Sequence, residues 1–378
     1  MAKILSALAA SSFTSTADVV SQLSGYAHSG TNPVVDVNDL AGSLSGKYFN
    51  LGSSSSRRIT RLLEPSVLPL TASGQREYEV HALLHWADGS GVQDNQHFML
   101  CAPSGSSSNG FAGFTTRLDP ETGEENALYA RYRAIPSTGG ASVDMVIDTG
   151  IRIQDDSVLY LAVRGRSQSA AGQPDGVAEF YVNGKLVAKA DNIVWYTTVG
   201  YDFITGSVGF YSLTGMSGGS INARGFIIFD GWTTPDETPP DYLHVEDLVA
   251  DSVTGPDYSN VGGADNETAL SDLDDNTYLE TDVANGVLTA AFGTVPQELQ
   301  GLPLVALQIR ARVARGSANF NDMLVELRDL AGDNPVGAFN YPITVVDPSR
   351  ETLSRFVDLT GNTRNVDNIS ISFTNGDN

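Results

Sequence analysis

The stretch Glu179-Phe180-Tyr181-Val182-Asn183-Gly184-Lys185-Leu186-Val187 constrains the fold more than any other part of the chain. Two runs of β-branched and aromatic residues flank Asn-Gly, the dipeptide that best tolerates the paired positive φ angles of a type I′ turn, so a tight antiparallel hairpin is predicted. Comparable runs recur at 159–163, 206–212 and 223–229, separated by Gly, Ser, Thr and Asn. From Gln75 onward, Tyr78, Val80, Ala82, Leu84 and Trp86 alternate with Glu77, Glu79, His81, Leu83 and His85, which is the period of a strand with one apolar face. Further strands are predicted over 96–102, 110–117, 127–134, 142–148 and 158–164. An all-β chain follows.

At 378 residues the chain exceeds one ordinary sandwich. Residues 233–241 combine Pro235, Pro239 and Pro240 with Asp236, Glu237 and Asp241, a composition that cannot continue a central strand. They are read as a linker. The segment 71–232 before it forms one antiparallel β-sandwich. The segment 242–378 after it forms a second, in which Val305, Leu307, Ile309, Ala311 and Val313 share one strand face, as do Met323, Val325 and Leu327, and Ile369, Ile371 and Phe373. Residues 1–70, rich in Gly, Ser and Asn with a short helical period over 16–23, are read as an N-terminal arm that orders against a neighbouring subunit.

The chain carries 45 acidic against 22 basic residues, four of the latter Lys, for a formal charge of -23. Nucleic acid and anionic membrane surfaces are therefore excluded as expected partners, since phosphate binding needs clustered cations. Arg57, Arg58 and Arg61 are the tight basic group along the sequence. One cysteine, Cys101, rules out an intrachain disulfide framework and suits folding in a reducing cytoplasm. The first ten residues carry one positive charge and an apolar run at the short limit for a leader, and are read as part of the mature chain.

The order of strands around the hairpin resembles the back half of a laminin-G or concanavalin A-like jelly-roll sandwich. The block Leu248-Val249-Ala250-Asp251-Ser252-Val253-Thr254-Gly255, then Tyr258, then Asp272-Leu273-Asp274-Asp275-Asn276-Thr277-Tyr278-Leu279-Glu280-Thr281, resembles the C-terminal part of virion structural proteins of tailed bacteriophages. That resemblance implies a non-enzymatic tail, tail-tip or fibre component, assembled in the host cytoplasm through its N-terminal arm and contacting other virion proteins and copies of itself. The alternatives it leaves open are a capsid decoration or head-fibre protein and a host-glycan-binding, receptor-binding module.

Candidate chemistry is sparse. Gly215-Met216-Ser217-Gly218-Gly219 matches a nucleophile elbow, but a strand rather than a helix follows it, so a Gly-rich turn is the better reading. His81 and His85, with His97 on a neighbouring strand, have metal-ligand chemistry without an acidic or cysteine partner at ligand spacing. Glu77 and Glu79 alternate on the face of His81, expected to be the outer, solvated one, and do not form the acid pair of a glycosidase. Asp272, Asp274, Asp275 and Asn276 concentrate hard oxygen ligands suited to calcium, the one cofactor the sequence suggests. Trp195, Tyr196 and Tyr201 are candidate rings for stacking on a glycan, with core filling as the competing use.

Overall fold

The computed structural model describes residues 4–9, 26–27, 36–40, 46–50, 58–62, 70–86, 97–102, 111–117, 127–136, 141–154, 157–195, 207–211, 221–233, 250, 252–271, 276–292, 306–316, 322–329, 335–344, 346, 351–358 and 369–376. They fall into two compact units, Met1–Glu246 and Asp247–Asn378.

The first unit is a sandwich of two antiparallel sheets. Its strands are β1 (Ile4–Ala9), β2 (Tyr26–Ala27), β3 (Asp36–Leu40), β4 (Gly46–Asn50), β5 (Arg58–Leu62), β6 (Glu77–Trp86), β7 (His97–Ala102), β8 (Phe111–Arg117), β9 (Ala127–Ala134) and β10 (Val143–Arg152). There follow β11 (Ser157–Arg166), β12 (Gly176–Val182), β13 (Lys185–Ile193), β14 (Ser207–Tyr211) and β15 (Ile221–Phe229). The first sheet runs β13-β12-β11-β6-β15-β4-β3, with β1 also paired to β15, and the second runs β10-β9-β8-β7-β14-β5-β2.

Register explains the core. Phe180 lies opposite Val163, Val163 opposite Val80, and Val80 opposite Ile228, so one apolar row crosses four strands and is fully buried. Phe114 of the second sheet meets Phe180 edge to face, with centroids 5.7 Å apart, and joins the two layers. Burying each such side chain contributes roughly 1.5–3 kcal/mol. The Asn-Gly hairpin is the turn between β12 and β13, with φ of 48° at Asn183 and 73° at Gly184. Asn183 has a second use there: its Oδ1 accepts the Tyr160 N–H at 2.9 Å, and its own N–H donates to the Tyr160 carbonyl at 2.7 Å.

Residues 1–70 are not an arm standing apart from the sandwich. Their strands β1, β3 and β4 extend the first sheet and β2 and β5 the second, so each satisfies its backbone hydrogen bonds against strands of 207–229 or against one another. The helix expected over 16–23 lies outside the described residues, as does the linker beyond Thr233.

The second unit contains β16 (Ser252–Thr254), β17 (Ser259–Val261), α1 (Asn266–Ser271), β18 (Tyr278–Glu280), β19 (Val287–Ala291), β20 (Ala306–Val313), β21 (Asp322–Asp329), β22 (Pro335–Pro342), β23 (Glu351–Asp358) and β24 (Ile369–Asn375). A five-stranded sheet runs β16-β19-β24-β21-β22, and β17-β18 and β20-β23 form separate two-stranded ladders. Ile309 of β20 packs with Met323, Val325 and Leu327 of β21 and Ile371 of β24, with Leu307, Ala311 and Val313 at the margin. The alternating faces of the sequence thus meet as two layers. Asp265 precedes α1 and caps it, its Oδ1 accepting the Thr268 N–H at 2.7 Å.

Candidate functional site

Both sheets of the first unit carry polar residues on the face turned away from the core, and the two faces differ in how deeply those residues are buried. On the first sheet the outer row is Lys189, Glu179, Arg164, Glu79 and Phe229, one residue from each of five adjacent strands. Glu79, fully buried, accepts four hydrogen bonds: His81 Nε2 at 2.5 Å and Thr233 Oγ1 at 2.7 Å on one oxygen, Arg164 Nε at 2.8 Å and the Thr233 N–H at 3.0 Å on the other. A carboxylate only accepts, so the proton on that side of the ring sits on Nε2. Nδ1 shares a hydrogen bond of 2.7 Å with the Tyr160 hydroxyl.

Burial pushes the Glu79 carboxyl up, but the His81 hydrogen bond, the charges of His81 and Arg164 and the Thr233 N–H outweigh it and hold the group below the ordinary glutamate range. Trp232 completes the lid. Its ring lies 5.4 Å from the Arg164 guanidinium and 4.3 Å from that of Arg166, and its Nε1 donates to the Gly165 carbonyl at 3.3 Å. This face is therefore a clasp that seats the chain leaving β15, and its central groups have no opening to a ligand. The sequence expectation of a solvated face for Glu79, His81 and His85 is corrected: all three are buried, Glu79 under Thr233 and beside the Arg164 that Trp232 covers, and His81 between Tyr160 and Phe229.

On the outer face of the second sheet Arg117, Tyr129, Arg133 and Asp144 are half-buried, while Thr115 and Arg131 between them are buried. Register places Thr115 opposite Tyr129 and Gly113 opposite Arg131 between β8 and β9, then Arg131 opposite Val146 and Arg133 opposite Asp144 between β9 and β10. Tyr129, Arg131 and Arg133 alternate along β9 and so share this face, and Arg117 of β8 lies on it too, its guanidinium 5.9 Å from the Tyr129 ring centre. Asp144 bridges Arg131 Nη2 and Arg133 Nε with one oxygen each. Gly113 leaves the row without a side chain opposite Arg131.

Burial pushes the Arg131 guanidinium below its ordinary range, Asp144 pulls it back, and the neighbouring charges of Arg133 and Arg117 push it down again, with a net lowering. Arg117 makes neither an ion pair nor a hydrogen bond among the described residues, and its Nε is shut off from solvent. Asp144 is the counterpart. Burial raises its carboxyl, but hydrogen bonds and charge from Arg133 and Arg131 bring it down to about 2. A group with a depressed folded-state pKa contributes stability above its unfolded value and loses it as pH falls through the folded one. Urea midpoints should therefore drop between about pH 4 and pH 2, and Asp144→Asn should remove that part of the decline.

The sequence candidates are dispersed. Trp195 is 2% exposed: its backbone N–H donates to Gln168 Oε1 at 2.6 Å, its Nε1 to the Arg166 carbonyl at 3.0 Å, and its ring fills the space that Gly176 leaves. It is a core residue and not a stacking platform. Tyr196, Tyr201, the Gly215 to Gly219 turn, and Asp272, Asp274 and Asp275 lie outside the described residues. Asn276 is exposed, and among the described residues no three His, Cys, Asp or Glu side chains come together as a metal site. Arg117, Arg131 and Arg133 were missed because their proximity spans two strands. The alternation Tyr129, Arg131, Arg133 in a chain so poor in cations was the available signal.

No family model and no curated protein matches the chain. Among solved structures it is similar to alginate lyase Aly36B, at 9% identity over 59% of this chain and 95% of that one, with a TM-score of 0.41. It is also similar to the endo-beta-1,4-glucuronan lyase of the fungus Trichoderma reesei, at 15% identity over 57% and 95% of the two chains and a TM-score of 0.34. A third is the CBM40 of Ruminococcus gnavus IT-sialidase bound to alpha2,6 sialyllactose, at 9% identity over 50% and 93% and a TM-score of 0.27. By its own sheet topology the chain is an all-β sandwich protein. The expectation of a non-enzyme is corrected: lyases are among the chains of similar fold, so the sandwich is no ground for excluding catalysis.

Proposed function

We propose that the protein binds a surface glycan on the outer face of the second sheet of its first unit. The observation that carries this reading is the juxtaposition of the half-buried Tyr129 ring with the half-buried Arg117 and Arg133 side chains on one strand face, over the buried Arg131. An aromatic face accepts the apolar side of a pyranose, and guanidinium groups held by packing and by Asp144 offer donors in a fixed geometry to its hydroxyl and ring oxygens. On the opposite sheet Trp232 covers Arg164 and Arg166.

The test is binding of the full chain to an array of bacterial and plant polysaccharides, followed by titration calorimetry on the strongest ligand. Tyr129→Ala should weaken that ligand at least about tenfold, the loss of a central aromatic contact, with the thermal midpoint little changed. Undiminished binding by Tyr129→Ala would move the site elsewhere, and no binding at all by the parent would end the glycan reading. Following the same mixtures for unsaturated chain ends reports whether binding leads to cleavage.

For the setting, we propose a receptor-binding component of a tailed-phage virion, on the strength of the sequence block at 248–281. Immunogold labelling of purified particles should place the protein at the tail tip or fibre, and unlabelled particles would remove that setting while leaving glycan binding intact.

A further inference from the structure

We infer that the Tyr129 face selects an acidic saccharide, one carrying carboxylate or sulfate groups, and that Arg117 is the residue that receives the charge. The inference rests on the glycan-binding reading and names the ligand class for that site. Three guanidinium groups share the face, and the carboxylate among the described residues that pairs with them, Asp144, engages Arg131 and Arg133 and leaves Arg117 without a partner. A row with a purely structural role would match each buried or half-buried cation with an anion, because an unpaired guanidinium shielded from water is costly. Arg117, half-buried, has the Tyr129 ring and the like charge of Arg131 near it, and its Nε is closed to solvent without an acceptor.

The charge of the whole chain sharpens the argument. A protein at -23 repels anionic polymers at a distance, so diffuse attraction cannot be what brings such a ligand to this face. Binding has to come from short-range, charge-assisted hydrogen bonds, and a guanidinium fork is the side chain best matched to a carboxylate or sulfate. The acidic surround then acts against long, densely charged polymers and in favour of a saccharide whose charges are spaced by whole sugar rings. Asp144 sets the row: by bridging Arg131 and Arg133 it fixes their planes, and the site keeps its geometry while empty of ligand charge.

The experiment uses the full chain and polysaccharides prepared in matched pairs: uronate chains and their carboxyl-reduced forms, sulfated chains and their desulfated forms. The acidic member of one pair should bind at least about tenfold more tightly at moderate ionic strength, where salt screens the long-range repulsion of the acidic chain more than it screens a short-range charge-assisted contact. Which pair shows the gap separates carboxylate from sulfate. Arg117→Gln should cost the acidic member about tenfold more than it costs the neutral member, and Arg117→Lys should restore part of that difference. Equal affinity within every pair would overturn the acidic-ligand inference and leave the glycan reading standing. Binding to no member of any pair would overturn both. Should Arg117→Gln fold poorly, Asp144→Asn gives the opposite sign: tighter binding of the acidic member alone supports the inference, and no change in the acidic-to-neutral ratio counts against it.

Discussion

Glu79→Ala should destabilise the first unit by about 3–5 kcal/mol, read as a fall in the urea midpoint of the transition that reports on Trp232. The size follows from what the substitution leaves behind. Arg164 is 1% exposed and its Nε donates to Glu79, while Thr233 and His81 direct three further hydrogen bonds at the same carboxylate. Without the carboxylate, a buried guanidinium loses this ion-pair partner and three other donors face a cavity. The double variant Glu79→Leu with Arg164→Met, which removes both charges and fills the volume, should recover most of the loss, since apolar replacement of a buried pair is often neutral. If the single and double variants were equally unstable, packing rather than uncompensated charge would be the cause. The same network predicts an acid limb. Glu79 is held below the ordinary range, so its contribution is complete above the unfolded glutamate value of 4.5 and is lost as pH falls through the folded one.

The second large effect is expected at Gly165, where substitution by Ala should cost about 1–3 kcal/mol, toward the upper end. A Cβ built there would overlap Cε1, Cζ and the hydroxyl of Tyr78, its cross-strand partner, and Tyr78 is itself buried at the sheet interface. Neither strand can retreat: Gly165 sits on β11, bonded on both sides by β6 and β12. Pairing Gly165→Ala with Tyr78→Leu should cost less than the sum of the two alone, because the shorter side chain vacates the space the methyl needs. Thermal unfolding of the four proteins in that cycle measures the coupling, and strict additivity would mean that the backbone had shifted instead.

The strands were legible because each is a local pattern. The alternation from Tyr78 to Trp86, the β9 segment Ala127–Ala134 and the Asn183-Gly184 turn all carry their signal within a few residues, and the structure places a strand or turn at each. The first seventy residues carried a weaker signal. Strands such as β2, two residues long, have no period to detect and exist because an edge was waiting for them. The Glu77 to His85 face was read as solvated because alternation says which residues share a side without saying what covers that side. Trp195 shows the same gap: an aromatic between strands is a platform or a core residue depending on whether a glycine across the sheet, here Gly176, makes room for it.

By itself the sequence determined an all-β chain, the hairpin at its centre, the apolar faces of both units and the scarcity of positive charge. These follow from the two-residue period of a strand, from turn chemistry and from composition, which are properties of neighbours along the chain. The tertiary structure alone decided which polar side chains are fully buried and which stay half-buried. Glu79 meets Arg164 and Thr233, and Arg117 meets Tyr129, through pairings between strands distant in sequence, and only those pairings determine whether a charge is buried against a partner or left part-exposed beside a ring.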